Sequence, residues 1–253
     1  MSKFQTRRKF LVSAAVGTGG LLSGCDALTH STTFQQVLAS AEDVNFVVHR
    51  ALGDRMELAS EYRPDQRSPT FRANGTRNPG TSEYEKSVKQ RFSNWSLNLT
   101  GLFEKPQSFS ISALHAMPQR TQITRHDCVE GWSAIGKWTG VTLKLILDFA
   151  RLQDTAKFLV FQCADRLGGR PYYESIDLVD AYHPQTIIAH RLNDEPLPVA
   201  NGAPLRLRVE RQLGYKHAKY VCGIQAVASL ANVGEGKGGY WEDVGNYAWY
   251  AGI

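Results

Sequence analysis

"HDCVEGWSAIGKWTGVTL", residues 126–143, is the stretch on which the reading of this chain turns. It sets Cys128 beside Asp127, two residues after His126 and two before Glu130, with Trp132 and Trp138 beyond. The chain has only four cysteines, so the placement of each one carries information. A cysteine here fits four roles: core filler, half of a disulfide, a nucleophile or a metal ligand. The choice among them is close to the choice of function.

Known cysteine chemistries narrow the field. Structural zinc takes four ligands, usually from spaced pairs such as C-x-x-C, and the chain has no such pair. A Cys–His hydrolase needs a base beside the thiol and a third group to orient it. On a strand His126 would share a face with Cys128, but no orienting group is evident. "GWSAIG" departs from G-x-S-x-G at Ile135, and "GEGKGG" lacks both the spacing and the hydroxyl residue of a phosphate-binding loop. Disulfide pairing stays open in an oxidising compartment. So does a lone thiolate on a metal whose other ligands come from a cofactor.

Outward from this stretch the texture alternates. "NWSLNLTGL" (94–102) places Trp95, Leu97 and Leu99 at strand period, and "TQITRH" (121–126) reads as a second strand entering Cys128. "ISALHAM" (111–117) reads as a short helix stopped by Pro118. "TLKLILDFARL" (142–152) has apolar residues at helical spacing with Thr142 as the cap. "KFLVFQC" (157–163) reads as a buried strand ending at Cys163, and "KYVCGIQAVASL" (219–230) as another. "NDEP" and "NGAP" punctuate a strand between residues 192 and 210 as turns. Residues 60–92, poor in aliphatics and rich in Pro, Gly, Asn and Arg, read as a long loop. The last twenty residues read as irregular glycine-aromatic chain. No linker divides the mature chain and no parallel βαβ unit repeats, so the expectation is one mixed α+β domain in which strands outnumber helices.

The N-terminus reads as targeting sequence. Arg7-Arg8, then Phe10-Leu11, then a glycine-interrupted apolar run give residues 1–24 the layout of a twin-arginine export signal. That run is too short and weak for a membrane span. Residues 25–60 are assigned as a tether and polar helical entry, and 61–253 as the functional domain. Lys3, Arg7, Arg8 and Lys9 fall in the signal; taking these four from 29 basic residues leaves 25 against 24 acidic. The apparent basicity therefore belongs to the targeting peptide, and nucleic-acid binding is not expected.

"LSGC" (22–25) resembles the lipobox of bacterial lipoproteins, which implies lipidation of Cys25 and a lipid anchor on the periplasmic side of the inner membrane. Asp26 resembles an inner-membrane retention signal. Twin-arginine export resembles the route taken by proteins that fold around a cofactor before leaving the cytoplasm.

Residues 126–143 resemble the molybdenum-ligand motif of the sulfite oxidase family of molybdopterin oxidoreductases. The variant CVE-x-W-S…W-T-G is closest to the bacterial protein-methionine-sulfoxide reductase branch. "FRANG" (71–75), "FQCAD" (161–165), "YYESIDLVDAYHPQT" (172–186), "NGAPLRL" (201–207) and "YKHAKY" (215–220) follow in family order. The resemblance implies a sulfite-oxidase-like molybdopterin-binding fold, with Cys128 as the protein ligand to molybdenum. Asn74, Asn201, Arg206, His217, Ala218 and Lys219 are implied as cofactor contacts, the basic ones suited to a phosphate. Cys163 stands where the family has a cofactor-touching threonine. Tyr172 matches a tyrosine near the metal's labile oxygen. Glu130 is expected to accept backbone bonds and shape the loop, and His126 to be an ordinary hydrogen-bonded histidine.

Sulfite oxidases carry an arginine five residues after the ligand cysteine; here that position is Ser133, which argues against sulfite. Arg72 is a candidate for one replacement charge. The expected activity is two-electron oxygen-atom transfer, as reduction of an S-oxide. A sulfite dehydrogenase passing electrons to a cytochrome is the second reading, and a non-catalytic lipoprotein the third. With no C-x-x-C-H haem site in the chain, a separate electron partner is expected, a membrane haem protein or a periplasmic cytochrome. A monomer is expected.

Overall fold

The computed structural model describes residues 31–253. The export signal and Cys25 lie outside the described residues. The polar entry is helix α1 (Thr32–Leu52), capped by the Ser31 side chain, which accepts from the Phe34 N–H. It belongs to a unit ending at Gly53; a second compact unit runs from Asp54 to Ile253. No helix among the described residues is long and apolar enough to cross a membrane.

Two five-stranded sheets organise the second unit. One has the order β2-β1-β10-β5-β6, built from Ser108–Ser110, Ser96–Gly101, Val221–Val227, Phe158–Leu167 and Arg170–Asp177. Its only parallel pair is β1 with β10. The other has the order β3-β4-β7-β8, with β9 also on β7: Gln119–Cys128, Trp132–Thr142, Ile187–Leu192, Glu195–Pro196 and Arg206–Arg208. Strand residues outnumber helical ones, 32% to 27%, so the fold is the expected mixed α+β.

The core follows the apolar periodicity. Leu97 and Leu99 alternate inward from β1. On α4 (Leu143–Ala150), which follows α2 (Ser82–Lys89) and α3 (Ile111–Ala116), the residues Leu143, Ile146, Leu147 and Ala150 are fully buried at i, i+3, i+4 and i+7. Truncating Leu147 to Ala would cost about 2–5 kcal/mol. Thr142 holds the N-cap position, but its side chain makes no capping bond. A second cluster packs Trp138, Ile187, Ala189, Leu192 and Leu197 under the β4–β7 pair.

β3 and β4 form the hairpin that presents Cys128. Ten residue pairs stay in register, from Gln119–Val141 to Cys128–Trp132. Gly131 at φ +86° closes the turn, a left-handed conformation that suits glycine. β4 steps one residue out of register against β7 at Gly140, where a Cβ would lie 2.1 Å from the Ile188 carbonyl oxygen. Asn193 and Asp194, both at positive φ, make the tight β7–β8 turn read from "NDEP".

Four expectations need correction. The segment 60–92 is not loop throughout: α2 forms within it, with the Thr81 side chain accepting from the Tyr84 N–H and Tyr84 buried. β5 does not end at Cys163 but passes an irregularity and runs to Leu167. β4, which sequence reading left unassigned, is an eleven-residue strand. The tail is not irregular throughout: α6 (Tyr240–Gly245), which follows α5 (Leu178–Ala181) in chain order, forms within it.

Candidate functional site

Cys128 ends β3 at the tip of the hairpin, 7% exposed. It opens into a cleft of about 280 Å³, near the lower end of the ~300–1,000 Å³ typical of small-molecule sites. Five chain segments wall that cleft. The loop 74–76 supplies Asn74, Gly75 and Thr76; β5 supplies Asp165 and Leu167; β6 supplies Tyr172. Residues 214–219 supply Gly214, Tyr215, His217 and Lys219, and the tail supplies Trp241 and Tyr247. Cys128, Tyr172, Asn74, His217 and Lys219, singled out from sequence, therefore line one space.

Arg206 and Asn201 stand behind that wall. Arg206 is fully buried; it donates to the Asn201 carbonyl at 3.0 Å and to Asn74 Oδ1 at 3.4 Å, and its Nε has no partner. Lys219 Nζ reaches only backbone carbonyls, of Asn74 at 2.7 Å, Ala200 at 3.1 Å and Thr76. Among the described residues neither cation forms a salt bridge with a carboxylate, although the charge of Asp165 acts on Lys219. Burial first, then Arg208, lowers Arg206 to about 9; burial first, then Arg206, lowers Lys219 to about 7. Two buried cations whose hydrogen bonds go to carbonyl oxygens rather than carboxylates form a place for an anion, because a buried charge without a salt-bridge partner is costly.

Arg208, one turn of strand further, is different. It forks onto Glu210 at 2.9 and 2.6 Å with both side chains fully buried, and Gln122 donates to the same carboxylate at 2.8 Å. Trp138 lies under both arginines, 4.4 Å from Arg208 and 5.3 Å from Arg206. This stacking stiffens the pair beneath the cleft.

His126 is 1% exposed, with its Nδ1 2.9 Å from Arg208 Nη1. A guanidinium can only donate, so Nδ1 accepts and the ring carries its proton on Nε2. Burial first, then Arg208, pushes His126 well below the usual histidine range. It is a fixed neutral ring against Gly214 and His217, not a base. Burial also pushes the Cys128 thiol up. A nucleophilic cysteine needs the opposite shift and a free base, whereas His126 Nδ1 is taken up by Arg208, so the arrangement does not favour a Cys–His hydrolase. Cys128, Cys163 and Cys222 are all free, so no disulfide joins the described cysteines.

Cys163 and Ala218 do not line this cleft with their side chains. Cys163 faces a neighbouring cleft of about 320 Å³, which shares Asp165 with the first. Ala218 is 1% exposed and packs in the main core. Glu130 accepts from the Trp132 indole at 3.0 Å rather than from backbone. Arg72 is exposed and offers its carbonyl to Asn201, so its charge does not line the cleft. Ser133 pairs with Asp127 across the hairpin, on the face away from Cys128, and donates to the Asp127 carboxylate. Tyr172 donates its hydroxyl to the Tyr215 carbonyl at 2.9 Å, which leaves the oxygen as an acceptor toward the cleft.

Sequence reading missed Asp165, Trp241, Tyr247 and the Arg208–Glu210 pair. "RLRVE" offered one signal: both arginines and the glutamate sit in an apolar strand context, where charges need buried partners.

Among the described residues no group of three or more His, Cys, Asp or Glu is placed to hold a metal. A metal at Cys128 would have to bring its remaining ligands with it. A pterin dithiolene with a phosphate does so, and the unpaired Arg206 and Lys219 fit the phosphate.

Comparison with known proteins agrees. Residues 85–232 match the family described as oxidoreductase molybdopterin binding domain. A putative protein-methionine-sulfoxide reductase subunit, YedZ1, of Azospira oryzae is 36% identical over 247 residues, covering 97% of this chain and 87% of that protein. The protein-methionine-sulfoxide reductase catalytic subunit MsrP of Xanthomonas campestris is 36% identical over 167 residues, 62% of this chain and 51% of that one. The sulfane dehydrogenase SoxCD of Paracoccus pantotrophus superposes with a TM-score of 0.50 at 22% identity, over 54% of this chain and 39% of its own, which shows likeness of fold alone.

Proposed function

We propose a function from one premise: this chain belongs to the molybdopterin-binding oxidoreductase family and is a molybdenum-dependent oxidoreductase of the sulfite oxidase type. The third reading, a non-catalytic lipoprotein, is set aside by that membership. Our reading is that the enzyme reduces an S-oxide, of the methionine sulfoxide kind named for its relatives, with Cys128 as the protein ligand to molybdenum. The overall reaction takes an S-oxide, two electrons and two protons to a sulfide and water. The observation that carries the reading is the convergence of the Cys128 thiol and the buried Lys219 on one cleft, with the buried Arg206 directly behind its Asn74 wall and neither cation salt-bridged to a described carboxylate.

When bound, the molybdenum centre supplies the two-electron oxygen-atom transfer. The chain's own residues do the rest. Cys128 would hold the metal as a thiolate, although burial pushes its free thiol up. Arg206 and Lys219 would hold the phosphate, with Asn74 and Asn201 fixing Arg206. Tyr172 offers an oxygen acceptor at the cleft and orients the 214–219 segment through Tyr215.

The lining bears on the substrate. Asp165 and Glu130 face the cleft as carboxyl groups, and Lys219 is taken up by the phosphate in this reading. No cation is then left for sulfite, which would lose its charge-assisted contacts. The rest of the wall is aromatic: Trp241 and Tyr247 stack at 5.5 Å, and Tyr215 meets Tyr247 edge-on at 5.1 Å. Such rings suit a neutral sulfur group, since sulfur–aromatic contacts contribute about 0.3–1.5 kcal/mol each.

The enzyme in this reading is exported by the twin-arginine route, anchored through a lipid on Cys25 and reduced by a separate membrane haem subunit. Metal analysis with a substrate panel tests it. Wild type should carry about one molybdenum per chain and reduce methionine sulfoxide with a reduced dye. Cys128→Ser should lose at least about 100-fold of that activity, beyond the ~10–100-fold typical of outer-shell changes at metal sites. Activity with sulfite and a cytochrome alone would replace this reading by the dehydrogenase.

A further inference from the structure

Behind the aromatic wall, three charged side chains from three elements meet. Glu174 on β6 and Lys216 in the turn 214–216 are fully buried, and Glu242 on α6 is 1% exposed. Lys216 Nζ donates to Glu242 Oε1 at 2.6 Å and stands 3.3 Å from Glu174 Oε1. Glu242 Oε2 and both Glu174 oxygens have no hydrogen-bond partner. The space between them lies at Gly239, where a Cβ would be 1.8 Å from Glu174 Oε1 and 2.1 Å from Glu242 Oε2. Two atoms so close to one point cannot be more than about 3.9 Å apart, so the two carboxyl groups face each other.

Two buried carboxylates against one ammonium would leave an uncompensated negative charge. One proton between the facing oxygens removes that charge and satisfies both oxygens at once. Burial pushes Glu174 well above the ordinary carboxylate range; Lys216 opposes the shift and Glu242 adds to it.

The cluster bears on the cleft through its neighbours in sequence. Glu242 follows Trp241, and Lys216 lies between Tyr215 and His217; Trp241, Tyr215 and His217 all line the cleft. We propose that Glu174 and Glu242 share one proton and, clasping Lys216, latch the tail segment 240–250 across the cleft, so that losing the proton releases its aromatic wall. The groups acting on the pair are Lys216 from the turn, Tyr172 on the same face of β6, Tyr173 next to it, and Cys163 from β5; Tyr240 of α6 stacks on Tyr172, and Tyr215 lies under Lys216. Lys216 bonds the pair directly, and its charge is held by both acids.

The latch rests on the reading of the cleft as the substrate site, but its test reads the proton and the tail rather than turnover. Infrared titration of the full-length, cofactor-loaded protein should show the carbonyl band of a protonated carboxyl group at neutral pH, absent in Glu174→Gln and in Glu242→Gln. Hydrogen exchange across 240–253, corrected for intrinsic chemistry, should lose protection by up to about tenfold per pH unit from the ordinary carboxylate range of the released pair up to the raised range of the closed one, and level off above it, the behaviour of a one-proton linkage. In Glu242→Gln the amide can donate to Glu174 and accept from Lys216, so protection should stay within about twofold over the same range. Glu174→Gln gives the mirror-image control should the first variant not fold. A wild type with no such band, a tail whose protection is flat with pH, or the same slope in all three proteins would overturn the latch. Each result stands whichever substrate the enzyme reduces.

Discussion

At the scale of single residues, buried charge is the most informative signal in the molecule. Arg206 and Lys219 sit in apolar surroundings with carbonyls for company, an arrangement that is unfavourable until an anion arrives. Arg206→Met should therefore have two effects of opposite sign. Removing an unpaired buried charge should stabilise the cofactor-free protein by about 1–3 kcal/mol. Cofactor retention should fall by about 10–100-fold, as at other supporting positions of metal sites. Denaturant unfolding of the apo form, read beside pterin content of the loaded form, checks both; a loss in both would mean that Arg206 is only structural. Lys219 adds a pH dependence. The folded apo chain releases its proton at about 7, whereas the unfolded chain holds it to about 10.5. The unfolded state binds more protons between these values, so Lys219's contribution makes apo stability rise with pH across that window. The slope difference between wild type and Lys219→Met measures it, and bound phosphate should flatten it. Cys128, Asn74, Tyr172, His217, Arg206 and Lys219 were legible because each stands in a short motif with recognisable spacing. Asp165, Trp138 and Glu210 were not, because their roles depend on strands far apart in sequence.

At the scale of elements, legibility followed hydrophobic period. β1, β3, β10 and α4 carry clean alternation or i, i+3, i+4 spacing, and all four lie where those patterns put them. α2 escaped because it is short and half charged, held by its Thr81 cap and the buried aromatic Tyr84 rather than by an apolar stripe. β4 escaped because glycines and tryptophans interrupt its pattern, and the structure gives the reason for one of them. Gly140 lies at the register step where β4 crowds β7, and β7 in turn carries β9 with Arg206 and Arg208. Gly140→Ala would push a methyl into the Ile188 carbonyl and force the pair apart. The expected cost is about 1–3 kcal/mol, the range for overpacking. At roughly 2–4 °C per kcal/mol for a unit of this size, the melting temperature should drop by about 2–12 °C. Calorimetry reads this directly. An unchanged melting temperature would mean that β4 and β7 can separate freely, and the arginines would then lack the rigid seat assigned to them.

At the scale of the whole molecule, the cleft is a meeting place rather than a property of any one element. Cys128 comes from one sheet, Asp165 and Tyr172 from the other, and the remaining walls from the loop 74–76, the segment 214–219 and the tail. No apolar packing joins all five; shared polar groups do, including Lys219 reaching the 74–76 loop and Tyr215 bonding the Ala248 carbonyl. A ligand that touches every wall is therefore worth more to stability than its own contacts suggest, because it ties segments that otherwise meet at an empty centre. Binding to the folded state alone at a thousand times the dissociation constant stabilises by about 4.1 kcal/mol. At roughly 2–4 °C per kcal/mol, the loaded enzyme should melt about 8–16 °C above the apo form. The gain should also be distributed. Hydrogen exchange in 74–76, 214–219 and 240–250 should slow together on loading, while the α4 core, already buried, should change little. Protection confined to the Cys128 hairpin would mean that the cofactor is held at one wall, and Arg206 and Lys219 would then need another anion to explain them.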